Sequence, residues 1–244
     1  MTLPTIITIL ATIFFLIIER LKPGRKLPQI KNWYYQAILI NLVQLLITLA
    51  TARLWIEIFG EISLFKIRNW QSQILQGLFA WFIGTFFFYW WHRVRHLKGF
   101  WLIFHQIHHS PSRIEAMTSF YKHPIEILSD AILSALILYP LLGCSMMGAF
   151  WYNCFAGIGE YLYHSNIKTP KWFRYFIQTP ELHSIHHQFG VHKYNFGDIP
   201  IWDRIFGTYK DTTEFVERCG FPKNAENKLK EMLLFKDVYK SHKE

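Results

Sequence analysis

Residues 74–109 read ILQGLFAWFIGTFFFYWWHRVRHLKGFWLIFHQIHH. The stretch opens on an apolar run, Ile74 to Trp91, long enough at about 1.5 Å per helical residue to cross most of a bilayer's hydrocarbon core. The run closes in the aromatic cluster Phe86 to Trp91, a composition typical of the membrane–water interface, and passes directly into His92, Arg93, Arg95, His96 and Lys98. A second string, His105-Gln-Ile-His108-His109, follows at once, and a third, His183-Ser-Ile-His186-His187, lies beyond a long apolar segment. An apolar span that ends in grouped histidines predicts a helical membrane protein with a metal site at one face.

Composition agrees. The 244 residues are 51% hydrophobic, 18% aromatic and 18% charged, which excludes a disordered polymer and exceeds what a soluble enzyme needs to fill its core. Leu3 to Ile18 is an apolar run whose basic residues follow it, the reverse of a secretory signal, and reads as a first membrane helix. Arg20, Lys22, Arg25, Lys26 and Lys31 crowd the linker after it, the mark of a cytoplasmic loop, so the amino terminus is expected outside. Ala37 to Phe59 forms a second span, and the third, Ile74 to Trp91, returns to the cytoplasm where the first histidines stand. Ile125 to Gly159 is too long for one span of about 20 residues and is interrupted at Pro140 and Gly143, which predicts a hairpin that dips into the bilayer and comes back. That hairpin brings His164 to the side already holding His92 to His123, and the tail from Phe221 to Glu244 reads as an amphipathic cytoplasmic helix. The fold class expected is all-α: an integral membrane helical bundle with a cytosolic histidine-rich helical cap holding a dinuclear metal site.

Two other classes fit less well. The net charge of +9 suits a nucleic-acid reader in size, but the basic residues flank the spans as topology signals. A histidine-rich transporter or metal sensor would line a path with ionisable residues, yet the third span and the hairpin offer little beyond Asp130. Cys144, Cys154 and Cys219 form no CxxC pair and predict no disulfide framework.

The histidine strings carry the chemistry. On a helix, residues i, i+3 and i+4 share a face, so each string is expected to aim its imidazoles toward a shared centre. Eight such ligands are too many for one tetrahedral zinc, whereas two irons with higher coordination numbers can use them and still leave room for dioxygen; the count favours a dinuclear iron centre. A zinc-dependent membrane hydrolase is the alternative, but the metalloprotease pattern puts Glu after the first His, and here Arg93 follows His92. For His242 and His192 the preferred reading is a polar side chain reaching water or a carbonyl.

The frame HxxxH, HxxHH, HxxHH, with a long apolar hairpin between the second and third boxes, resembles the fatty acid hydroxylase and sterol desaturase superfamily of membrane di-iron enzymes. Tyr89-Trp-Trp-His92-Arg93 resembles that family's lead-in, His105 to Pro111 its second box, and Ile201 to Thr208 (IWDRIFGT) its closing segment. The likeness covers about Phe87 to Tyr209 and implies a catalytic domain over residues 74–210, preceded by transmembrane helices and loops over 1–73 and followed by a cytosolic tail over 211–244. His164 lies where family members carry an additional histidine, which makes the implied ligand set His92, His96, His105, His108, His109, His164, His183, His186 and His187.

The resemblance implies two irons per chain, O2 and two electrons as co-reactants, and hydroxylation or desaturation of a sterol-like or long-chain lipid. No GxGxxG or attached haem domain is present, so a separate ferredoxin or cytochrome b5-like donor with its reductase is implied as partner. Pterin-dependent ether-lipid monooxygenases share much of the same frame. His123, in a Lys-His-Pro-Ile-Glu string, is left out of the ligand set, with support of a ligand, a helix start and coordination all open. Asn195, Asp198 and Asp203 read either as holders of ligand imidazoles through the nitrogen that binds no metal, or as a simple turn. Arg93, Arg95 and Lys98 read either as a lure for an acidic redox partner or as contacts with anionic lipid.

Overall fold

The computed structural model describes residues 1–59, 62–222 and 225–239, which places His242 outside the described residues. Its first helix, α1 (Leu3–Leu21), starts on Pro4, whose missing N–H costs nothing in a first turn. Leu10, Ile13, Phe14 and Ile17 all face outward from it, as a lipid-contacting helix requires. The second, α2 (Trp33–Phe59), and the third, α3 (Gln73–Arg95), are likewise long and apolar enough to cross a membrane. Two short helices, α4 (Lys98–Phe104) and α5 (Gln106–His109), follow on the cap.

The predicted hairpin is present as α6 (Pro124–Leu136), a π-helical turn at Ile137–Leu141 that absorbs Pro140, and α7 (Met146–His164). Gly143 makes the reversal at φ 62°, where a Cβ would land on the Phe65 carbonyl oxygen. The descending arm, Pro124 to Leu141, is itself long and apolar enough to cross a membrane. The helices α3 and α7 lie against each other through glycines. A Cβ on Gly77 would stand 2.8 Å from Tyr152 N, and one on Gly84 2.9 Å from the Tyr152 ring.

The two ends of the bundle differ. The linker between α2 and α3 pairs with the hairpin tip, through Leu64 N–H to Pro140 O at 2.8 Å and Phe65 N–H to Leu141 O at 2.9 Å. The basic linker between α1 and α2 packs on the histidine end instead, with Gly24 N–H donating to Asn166 O at 2.8 Å and Arg113 to Pro28 O at 3.1 Å. Glu19, buried at the end of α1, accepts from the backbone N–H groups of Ala116 at 2.8 Å and Asn166 at 3.1 Å and so fastens the cap to the bundle. The cap is completed by α8 (Pro180–His186) and α9 (Pro200–Ile205).

The tail corrects the sequence expectation. Instead of one amphipathic helix, the described part holds a short α10 (Leu229–Leu233) between turns. Phe221, Met232 and Val238 join Trp33, Ile107 and Tyr121 in a buried cluster over the second histidine string. Its apolar residues lack a sustained helical period because they cover a cap surface from several directions.

Candidate metal centre

An α-helix turns about 100° per residue, so in His-x-x-His-His the first and last residues lie about 40° apart, while the fourth position falls about 60° to the other side. The structure uses that divergence. His105 and His109 join His92, His96 and His186 in one group, whereas His108 joins His164, His183 and His187 in a second. In the third string the division is inverted, since its i, i+4 pair feeds the four-membered group and His186 the five-membered one. The expectation of one shared direction per string is thereby corrected: each of the last two strings straddles the two groups. All nine histidines of the implied set fall in the two groups, and within each group the ligating nitrogens lie within 4.8 Å of one another.

Local structure explains the aim. The first string occupies the last turn of α3, where the span leaves the apolar layer. His105 sits at a break, φ −137°, between α4 and α5, so the chain re-enters a helical turn with His108 and His109 already inward. For α8, Thr179 caps the helix and accepts from Leu182 N–H at 3.3 Å, and Pro180 stands in its first turn, a start signal that sets the register of His183.

The hydrogen bonds assign protons. Nδ1 of His92 lies 2.8 Å from Phe196 O, that of His186 2.8 Å from Tyr194 O, that of His164 2.9 Å from Glu160 O, and that of His105 2.8 Å from Glu126 Oε1. Carbonyl and carboxylate oxygens only accept, so each of these Nδ1 atoms carries the proton and each Nε2 is a bare lone pair. Yet His92 Nε2 and His105 Nε2 face each other at 2.9 Å. Two lone pairs at that distance repel unless a cation lies between them. Protonation is not the remedy, because burial holds the His105, His108, His109, His183 and His187 imidazoles well below their usual range. Burial likewise takes His186 down to about 3 against the opposing pull of its bond to Tyr194 O. Buried, neutral nitrogen donors converging in a five and a four fit a pair of transition-metal ions.

The same shifts set a pH dependence. An unfolded histidine takes a proton near pH 6.5, whereas folded His186 resists to about 3 and His192 to about 4. Below pH 6.5 the unfolded chain therefore binds protons that the folded chain refuses, and stability present above that pH is lost as it falls. The metal-free protein should melt at a level temperature from about pH 8 to 7 and progressively lower from about pH 6.5 to 4. A flat thermal-melting profile over that range would contradict buried neutral imidazoles.

A chain of buried and half-buried charges joins the groups. Glu126 Oε1 accepts from His105 and, at 2.6 Å, from Arg95, which also lies 3.4 Å from Asp130. Lys122 Nζ stands 3.5 Å from Asp130 and 3.4 Å from Glu160, whose Oε2 is 3.5 Å from His164 Nδ1. Arg95 is thus buried in an ion pair and unavailable to a partner or lipid, which takes it out of both readings of the basic cluster. Glu126, inside the hairpin, and Glu160, one residue past it, are the site residues to which the sequence assigns no role. An acid two residues inside the Pro124 helix start was the visible signal.

The residues expected to brace ligands stand one step further out. Asn195, at φ 54°, accepts from Lys210 N–H at 2.9 Å and donates to Leu182 O at 2.9 Å. Asp203 accepts from the N–H groups of Phe196 and Gly197, both at 2.8 Å, and burial pushes it up to about 6. Together they pin a turn whose backbone carbonyls at Tyr194 and Phe196 meet the imidazoles, so these side chains fit the turn alternative and hold no ligand ring themselves. Asp198 accepts from Tyr163 OH at 3.1 Å and touches no ligand nitrogen. His123 is the cap of α6, its Nδ1 accepting from Ile125 N–H at 3.1 Å, and it belongs to neither group. His192, read as an ordinary polar residue, instead lies with its Nδ1 3.2 Å from that of His109.

Comparison with known proteins adds the following. The family model described as fatty acid hydroxylase matches residues 77–208, a segment containing all nine grouped histidines. Methylsterol monooxygenase 2-2 of Arabidopsis thaliana is 39% identical over 69 residues, 28% of this chain and 26% of that protein. Very-long-chain aldehyde decarbonylase GL1-8 of Oryza sativa subsp. indica is 29% identical over 161 residues, 64% of this chain and 59% of that protein. GL1-7 of Oryza sativa subsp. japonica, of the same name class, is 28% identical over 141 residues, 53% of this chain and 22% of its own. The match spans about a quarter of the methylsterol monooxygenases' length. No solved structure matches significantly.

Proposed function

The chain belongs to the fatty acid hydroxylase family, and from that premise we propose that it is a membrane-bound di-iron oxidoreductase. It uses O2 and two electrons to hydroxylate or desaturate a C–H bond of a sterol-like or long-chain lipid. The observation that carries the reading is the close approach of His92 Nε2 and His105 Nε2, 2.9 Å apart in a buried site. When bound, two irons supply dioxygen activation and the oxidising power an unactivated C–H bond demands. The nine imidazoles hold them, while Glu126 and the carbonyls of Phe196, Tyr194 and Glu160 keep four of those rings turned.

The substrate's apolar body would lie among the membrane-spanning helices. A cavity of about 410 Å³ between α2, α6 and α7 is walled by Trp55, Ile127, Leu138 and Phe150, within the usual range of about 300–1,000 Å³ for ligand pockets. Asp130 also lines it and connects through Arg95 and Glu126 to His105. The basic α1–α2 linker packs on the histidine end, which under the positive-inside rule supports a cytosolic site. There a ferredoxin or cytochrome b5-like donor with its reductase can deliver electrons.

Anaerobic purification followed by metal analysis should give about two irons per chain. Lipid profiling of cells with and without the chain should show a product heavier by one oxygen or lighter by two hydrogens. Stoichiometric zinc with O2-independent hydrolysis would replace this reading by that of a membrane zinc hydrolase.

A further inference from the structure

Four of the nine grouped histidines direct Nδ1–H to an oxygen. His109 differs. Its Nδ1 meets the Nδ1 of His192 at 3.2 Å, and its Nε2 is buried with no partner among the described residues. His192 itself stands outside the group of five, packed on Trp101 with ring centroids 5.3 Å apart. It carries two local penalties at once: a left-handed backbone at φ 44° on a residue with a Cβ, and a buried Nε2 without a partner among the described residues. Such penalties persist where neighbouring contacts over-determine them, and His192 has contacts with His109, Trp101 and the backbone of His186.

We propose that His192 is the positioning residue of the five-histidine group, accepting the Nδ1 proton of His109 and so keeping His109 Nε2 as a lone pair for metal. The inference rests on the two-metal reading above. Were the proton on His192 Nδ1 instead, His109 would accept through Nδ1 and carry its own proton on Nε2, leaving the group one donor short. With His192 as acceptor, its proton sits on Nε2 and the tautomer of His109 is set by an imidazole as that of His105 is set by a carboxylate. The sequence carries this histidine five residues past the third string.

The test compares the full-length wild type with His192→Gly and His192→Asn. Glycine and asparagine both tolerate the left-handed backbone, and the asparagine oxygen restores an acceptor where Nδ1 was. Fe²⁺ is titrated anaerobically against a competing chelator, with thermal melting of the metal-free forms alongside. The wild type should bind two ions; His192→Gly should hold one of them about 10–100-fold more weakly without a lower melting temperature, and His192→Asn should return to within a few-fold of wild type. Two ions bound at wild-type strength by His192→Gly, or equal loss in both variants, would overturn the assignment. A wild type that takes fewer than two ions would overturn the two-metal reading itself, and this inference with it.

Discussion

His108→Ala should empty the four-histidine group, and His186→Ala should weaken the five-histidine group, each with turnover falling below detection. Loss of a ligand removes a bond to the metal, so its effect should exceed the roughly 10–100-fold that follows loss of a bracing hydrogen bond. The two variants should differ in metal content. The smaller group retains three nitrogens after truncation and the larger retains four, so His108→Ala should show the cleaner loss of one iron. Because the groups share no histidine, metal losses should add in the double variant. Turnover should not add, since under the two-metal reading both groups serve one reaction and residues that act as a unit are grossly non-additive. Iron analysis and lipid turnover on the same preparations check both statements. Retention of two irons with oxidation intact in His108→Ala would remove that residue from the ligand set.

The parts legible in the sequence are those where one physical demand dominates. A bilayer admits only long apolar runs, so α1, α2 and α3 were visible from Leu3, Ala37 and Ile74 onward. Their ends were not. The third span was read to stop at Trp91, but backbone hydrogen bonding carries α3 through His92 to Arg95, because hydropathy reports where side chains partition and not where the helix ends. Histidine spacing likewise announced a metal site but not its division. That follows from the difference between three and four residues of helical rotation, which a shared-face picture erases. Least legible were contacts between distant segments. Glu126 meets His105 across a loop, His192 meets His109 from another part of the cap, and Met232 covers the second string from the tail. Each depends on how separate elements dock, for which local pattern carries no signal.

Glu126 combines two tasks that substitution can separate. Its Oε1 takes both the Arg95 guanidinium and the His105 Nδ1 proton in a fully buried position. Removing the carboxylate leaves Arg95, 4% exposed, with its 3.4 Å contacts to Asp130 and the Trp91 ring 5.9 Å from its guanidinium carbon. Breaking a buried pair in this way costs about 3–5 kcal/mol, a large share of the roughly 5–15 kcal/mol by which a domain is stable, so Glu126→Ala should yield little folded protein. Glu126→Gln keeps the shape and an acceptor but loses the charge. It should fold with a lower melting temperature and bind iron in the five-histidine group about 10–100-fold more weakly. Adding Arg95→Met removes the charge that Glu126 balanced. Melting temperature should then recover, because replacing both members of a buried pair is often neutral. Iron affinity should stay low, since His105 still lacks the carboxylate that makes its Nε2 a strong donor. Recovery of both quantities in the double variant would reduce Glu126 to a counter-ion for Arg95 and leave the orientation of His105 to packing alone.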